Sequence, residues 1–177
     1  MIARIRTRLT NRAGQALVEF ALVLPLVLLL ILGAVDFGLA YNYKNDETHL
    51  ANEAARFAVV NTCSPCGGQS IEAFVQSDAD SADLRNGTGQ IQPPGVQISF
   101  CFEQPVSSPA PGQIGDALRA TATATYRFLP YVVSLVGLPT TVTIVGTATQ
   151  RIEQPYDSAV PANNAYGRSV VPPACLP

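Results

Sequence analysis

The sequence predicts an α+β fold: a long N-terminal transmembrane helix extends into a small domain with an antiparallel sheet of about three strands. Three observations support this fold class. An apolar run follows a basic N-terminal segment, an amphipathic pattern of helical period continues beyond it, and apolar and polar residues alternate in the second half of the chain. With 177 residues the chain has room for one modest domain and an anchor.

The apolar run predicts a helix that crosses a membrane. Residues 20–35, FALVLPLVLLLILGAV, carry no charge, and extension back to Gln15 adds only the charge of Glu19. At about 1.5 Å per residue, this span covers roughly 30 Å, the thickness of the bilayer hydrocarbon. A secretory signal peptide cleaved near residues 32–34 is the alternative, but its apolar region should be shorter and should lack a carboxylate. We therefore expect a retained transmembrane helix at residues 15–35.

Charge is distributed unevenly along the chain. Four arginines and no acidic residue precede Gly14, and all 13 acidic residues follow it. Because basic residues favour the cytoplasmic side, residues 1–14 are expected to form a cytoplasmic leader, with the rest of the chain extracytoplasmic. An acidic body also argues against nucleic-acid binding, which requires a basic surface.

Beyond the membrane, the sequence predicts the elements of a domain at residues 36–153. The helix should continue from about Ala13 to Val60, because an apolar stripe that includes Leu50, Ala54 and Phe57 follows the polar stretch after Tyr41. The remaining elements are a short helix at 70–80 capped by Ser70, a loop at 85–95, and strands at 96–102, 118–128 and 140–152. The proline-rich residues 154–177 predict an extended tail.

The segment from Leu129 to Pro139, LPYVVSLVGLP, is too apolar for an ordinary connection. It either folds onto the core as a loop or short helix, or forms an exposed apolar patch that meets a partner or the membrane surface. The sequence leaves both interpretations open.

The four cysteines, Cys63, Cys66, Cys101 and Cys175, all follow the predicted span. An even number on the extracytoplasmic side predicts two disulfides, with three possible connectivities. We favour Cys63–Cys66 as a tight loop and Cys101–Cys175 as a link between the tail and the sheet. A redox CxxC would need a thioredoxin-like βαβ setting, and a zinc site would need a second CxxC, so a structural role is preferred.

No pattern in the sequence indicates catalysis. His49 is the single histidine and has no nucleophile motif nearby, and no glycine-rich phosphate-binding loop is present. The acidic run Asp78, Asp80, Asp83 lacks the glycine and glutamate of an EF-hand, so a solvated loop is the better interpretation. We expect no enzymatic activity, cofactor or metal, and the sequence identifies no small-molecule substrate.

The residues around Glu19, RAGQALVEF, resemble the prepilin processing site of the tight-adherence (Tad, Flp-type) pilus system. In that system the leader is cut after a glycine, with glutamate fifth and an aromatic residue sixth in the mature chain. Here the cut would fall between Gly14 and Gln15, and Glu19 and Phe20 occupy these positions. The wider stretch GQALVEFALVLPLVLLLILGAVDFG, followed by HLANEAARFAVV, looks like the N-terminal region of TadE-like proteins.

The resemblance is close over residues 12–60 and loose over residues 115–153. It implies a minor pilin or pseudopilin that acts in pilus assembly and supports adhesion, with the membrane, other pilus subunits and a prepilin peptidase as partners. It also implies that Glu19 pairs with the new amine of a neighbouring subunit. The alternative is a singly anchored surface protein, such as an adhesin, a sensor or a ligand-binding module, that keeps residues 1–14 and never enters a pilus.

Overall fold

The computed structural model describes residues 12–60, 66–67, 69–103, 113–129, 137, 139–154 and 174–175. The helices are α1 (Arg12–Val59), α2 (Ile71–Asp78) and α3 (Ala82–Asn86), and the strands are β1 (Gln97–Phe102), β2 (Ala117–Arg127) and β3 (Thr141–Arg151). The strands form one antiparallel sheet in the order β1-β2-β3. The predicted α+β fold class is confirmed, since a long apolar helix precedes a three-stranded antiparallel sheet.

The N-terminal half of α1 stands clear of the domain. It is long and apolar enough to cross a membrane, and the described domain covers none of its most apolar window. Large side chains such as Leu17 and Leu22 are exposed along it. Pro25 lies inside the helix without ending it, as transmembrane helices permit where the freed backbone groups find other partners.

The C-terminal half of α1 packs on the sheet through one continuous stripe. Its members are spaced alternately by four and three residues, as one face of a 3.6-residue helix requires: Asp36, Ala40, Tyr43, Glu47, Leu50 and Ala54. The sequence predicted this stripe only from Leu50 onward. The structure extends it back to Asp36 and includes three polar side chains in it.

Small residues let α1 approach the sheet closely. The face of β2 that meets the helix presents Ala120, Ala122 and Ala124, and all three are buried. A Cβ atom at Gly146 of β3 would overlap the backbone of Glu47 in α1. Because no side chain separates the two backbones here, the helix and the sheet are held at a short distance along the middle of the domain.

The two short helices close the side of the domain next to β1. Ser70 caps α2 as predicted, since its Oγ accepts a hydrogen bond from the Ala73 amide at 3.1 Å, and Val75 of this helix is fully buried. Helix α3 is a correction, because the sequence indicated a solvated loop where Ser81 caps a five-residue helix and Leu84 enters the core.

The C-terminal end of the chain returns to the sheet. Cys101 and Cys175 form a disulfide with a Cα–Cα distance of 4.8 Å, the pairing chosen from the sequence. The Cys175 amide also donates to the Phe102 carbonyl at 2.8 Å. Cys66 is disulfide-bonded as well, whereas Cys63 lies outside the described residues, so the Cys63–Cys66 pairing stays a prediction.

Three predicted segments lie wholly or largely outside the described part of the chain. They are the leader up to residue 11, the apolar segment at residues 130–136 and 138, and the tail at residues 155–173 and 176–177. The expectations for these segments stay predictions.

Candidate functional site

The four residues of the predicted processing and assembly motif all lie at the start of α1. Gly14, Gln15, Glu19 and Phe20 are exposed, and no atom lies within 4 Å of a Cβ built on Gly14. Among the described residues, nothing therefore blocks the approach of a peptidase to the Gly14–Gln15 bond.

Glu19 projects from α1 within the apolar span. Its carboxylate accepts a hydrogen bond from the Gln15 side-chain amide, with 3.2 Å between Nε2 and Oε1, and among the described residues it forms no ion pair. A charge in the middle of a membrane helix costs roughly 2.5 to 3.5 kcal/mol, and less near the helix end, where Glu19 lies. A neutral amide compensates this only in part, so the geometry leaves Glu19 free to pair with a cation from another chain.

Asp36 joins α1 to the sheet immediately beyond the apolar run. Its side chain is only 2% exposed. The Tyr126 hydroxyl donates to Oδ1 at 2.5 Å, and the Leu129 amide donates to Oδ2 at 2.9 Å. Burial, reinforced by the Asp36 carboxylate, raises the pKa of Tyr126 above its ordinary value. Both carboxylate oxygens thus fix the end of β2 to the helix.

Tyr43 forms a second polar connection, two turns further along α1. Its hydroxyl donates to Oδ2 of Asp83 in α3 at 2.8 Å, and the Thr88 hydroxyl donates to Oδ1 of the same residue at 2.7 Å. The Tyr43 ring lies 5.8 Å from that of Tyr126. Burial and the Asp83 carboxylate raise the pKa of Tyr43 to about 12, so it remains a hydrogen-bond donor at neutral pH.

Glu47 is the most unusual residue of the stripe. It is 0% exposed, and neither carboxylate oxygen has a hydrogen-bond partner of good geometry among the described residues. Burial raises its pKa to about 8, against the opposing effects of the Lys44 charge and the nearby Ala124 amide. The Lys44 ammonium instead donates to the Val145 carbonyl at 2.8 Å. The raised pKa therefore favours the protonated, neutral form of Glu47 in the folded protein at neutral pH.

Asp36, Tyr43 and Glu47 were not predicted from the sequence, although their spacing was visible. Counting back from Leu50 in steps of three and four residues reaches all of them, which places them on the predicted buried face. Their polar character hid this pattern, because amphipathic helices are recognised by apolar residues on that face. Their partners could not be found from the sequence, since Tyr126 is 90 positions from Asp36.

The other candidates for chemistry remain apart. Within the described ranges, no three His, Cys, Asp or Glu side chains lie close enough together to hold a metal ion. His49 is exposed on α1 beside Asn52 and Glu53. Asp83 of the acidic run is engaged by Tyr43 and Thr88.

Among the described residues, one N-terminal helix is long and apolar enough to span a membrane and extends onto an antiparallel sheet, an arrangement that fits a pilin-like membrane protein. A family model described as TadE-like protein matches residues 14–56. This match confirms the resemblance found in the sequence and identifies the N-terminal part of the chain as TadE-like. It begins at Gly14 and ends within α1, so that it covers Glu19, Asp36 and Glu47. No curated protein and no solved structure matches the chain.

Proposed function

We propose that this protein is a non-enzymatic minor pilin or pseudopilin of a tight-adherence pilus, cut between Gly14 and Gln15 by a prepilin peptidase. One observation carries the proposal: Glu19 is exposed in an apolar helix without a cationic partner among the described residues, four positions after Gln15. Cleavage would give Gln15 a charged α-amine about 6 Å along the helix from Glu19.

The amine of one subunit and the Glu19 carboxylate of its neighbour then form a reciprocal pair. Each charge is unfavourable in an apolar environment when alone, and pairing offsets that cost. Since the pair requires a fixed axial offset between helices, it sets their register. In the uncut chain the Gln15 side-chain amide partly satisfies Glu19, which lets the precursor stay in the membrane before assembly.

The proposed topology places residues 1–14 in the cytoplasm and the domain outside it. The arginines before Gly14 and the acidic remainder of the chain support this orientation. The disulfide between Cys101 and Cys175 gives independent support, because such bonds persist mainly in extracytoplasmic compartments.

The size of the domain favours a minor subunit. Major Flp-type pilins are little more than the apolar helix, whereas this chain continues through α2, α3 and a sheet. A role in assembly, initiation or tip display, and through it in adhesion, follows from the resemblance.

The second candidate is an anchored adhesin, sensor or ligand-binding module that stays uncut, and the long described domain after the helix suits that function too.

Two substitutions test the proposal in cells that build the pilus. Gly14→Val should block cleavage and leave an uncut precursor in the membrane, because a side chain hinders close approach to the backbone. Gly38→Val is the matched control, since Gly38 also lies in α1 with no atom near a built Cβ, and it should be processed normally.

Glu19→Gln tests assembly rather than cleavage. The variant keeps the size of the side chain and removes its charge, so it should insert in the membrane and be cut as before. It should still fail to assemble, because the neighbouring amine lacks its partner. The readouts are precursor size, membrane retention and co-purification with pilus subunits. Normal pili with both Gly14→Val and Glu19→Gln would favour the anchored-surface-protein alternative.

A further inference from the structure

An apolar groove of about 400 Å³ lies where α1 leaves the apolar run, between the helix and the first residues of β3. We call it the exit groove, and its principal lining residues are Phe37, Ala40, Tyr41, Lys44, Phe128 and Val142. Phe37 and Tyr41 are 68% and 60% exposed. Large apolar side chains are thus concentrated at one end of the domain.

With residues 15–35 across the bilayer, the exit groove would lie at the height of its surface. Phe37 and Tyr41 follow Val35, the last residue of the uncharged run, by two and six positions, or roughly 3 and 9 Å along the helix. The headgroup layer on each side of the hydrocarbon is roughly 5 to 8 Å thick. Because helical side chains lean toward the N-terminus, both rings reach back toward the membrane.

The sheet places its own apolar groups at the same height. Asp36 binds both Tyr126 and the Leu129 amide, so the end of β2 stands beside the helix exit. Strand β3 begins opposite that end, and its Val142 is exposed. The far end of the domain lies near Val59, whose carbonyl accepts the Glu153 amide.

We propose that the exit groove rests in the interface of the leaflet from which α1 emerges and holds part of a phospholipid there. The inference relies on the membrane-anchoring part of the proposed function. Lipid is the occupant because the groove is continuous with the exposed apolar face of α1, and because tyrosine is enriched at this depth. Lys44 at the rim places a cation beside the groove, where its ammonium also donates to the Val145 carbonyl.

The contact has a consequence for the whole domain. A single helix leaves a domain free to rotate and tilt above the bilayer, whereas a second contact through Val142 fixes the side that faces the membrane. Helix α2, whose Phe74 ring contacts Phe57 near the far end of α1, would then lie away from the lipid surface and be available to other subunits.

The absence of tryptophan from the sequence permits a direct test with single-tryptophan variants of the full chain. The probe position is Val142→Trp, which extends outward from an exposed site. Leu26→Trp reports on the span, and Ile114→Trp is the matched control, since Ile114 is an exposed apolar residue (65%) near the far end. Each variant is reconstituted in nanodiscs of phospholipid with or without bromine on the acyl carbons nearest the glycerol.

Brominated lipid should quench Leu26→Trp and Val142→Trp several-fold more strongly than Ile114→Trp. Quenching at position 142 no greater than at position 114, with Leu26→Trp still quenched, would overturn the groove contact and leave the anchor intact. Absence of quenching at all three positions would overturn the anchor and the groove contact together. A blue-shifted but unquenched Val142→Trp that depends on protein density would assign the groove to a second copy and also overturn the proposal.

Folding of the variants is checked by the Cys101–Cys175 disulfide, which resists alkylation without reductant when the domain is native. Tyr41→Trp, an aromatic exchange on the same groove, repeats the measurement if Val142→Trp fails this check. It should be quenched to the same degree as Val142→Trp, and quenching no greater than that of Ile114→Trp would overturn the contact.

Discussion

Replacing Glu47 by glutamine should remove a large pH-dependent part of the stability of the domain. The pKa of Glu47 is about 8 in the folded protein, against an ordinary value of 4.5. The folded state therefore binds this proton more tightly than the unfolded state. Its contribution to stability is fully present below about pH 4.5 and is lost as the pH rises toward 8.

The magnitude follows from the same two values. Each pH unit between them removes about 1.4 kcal/mol, so the wild-type protein should lose on the order of 5 kcal/mol across the window. Lys44 and Asp46 act on Glu47 in opposite directions, and neither outweighs its burial. A marginally stable domain has only about 5 to 15 kcal/mol in total, so the effect is measurable.

The assay is urea unfolding of the full chain in a non-ionic detergent, followed by circular dichroism at pH 5 and pH 8. Glu47→Gln leaves an unpaired amide, but that penalty is independent of pH and cancels between the two conditions. The unfolding free energy of Glu47→Gln relative to wild type should rise by several kcal/mol from pH 5 to pH 8. Glu53→Gln is the matched control on a less buried side of α1. If both variants keep a constant difference from wild type, the burial argument is wrong.

Three further predictions concern stability, measured by the same unfolding assay. Asp36→Ala should cost roughly 2 to 5 kcal/mol because it removes a charged acceptor from the Tyr126 hydroxyl and from the Leu129 amide, whereas Tyr126→Phe, which removes one hydroxyl, should cost only about 1 to 2 kcal/mol. Gly146→Ala should cost roughly 1 to 3 kcal/mol by forcing the sheet from the helix, while Gly38→Ala, with open space around it, should be neutral or stabilising. Cys101→Ser should cost about 4 kcal/mol because it removes the disulfide to Cys175, which joins positions 74 residues apart. Equal stability of the variant and the wild type would contradict this.

Much of the fold could be predicted because its patterns are local. The alternation along Leu118 to Phe128 predicted β2, which spans Ala117–Arg127, since a strand with one buried face requires period two. The C-terminal end of the continuous helix was predicted to within a residue. The Ser70 cap and the buried Val75 of α2 were likewise visible in the sequence.

The polar contacts could not be predicted because they join distant positions. Nothing near Asp36 indicates that Tyr126 and Leu129 will bind its carboxylate. Glu47 was taken as part of a polar stretch, since burial of a carboxylate without a partner is unfavourable and is not expected from composition. Helix α3 has only five residues, too few for a helical period to be recognised.

The processing motif differs from these contacts. The spacing of its residues could be recognised in the sequence, and the structure adds that these residues are exposed. Gly14 and Glu19 lie five positions apart on an exposed helix, and the TadE-like match begins at Gly14. Their chemistry depends on a cut that has to be observed in the mature protein.

The most direct test of the central claim is the N-terminus of the protein extracted from membranes of cells that assemble the pilus. Intact mass and N-terminal peptide mapping should give a chain that begins at Gln15, and the Gly14→Val variant should begin at Met1. A wild-type chain that retains Met1 to Gly14 in piliated cells would contradict the pilin account.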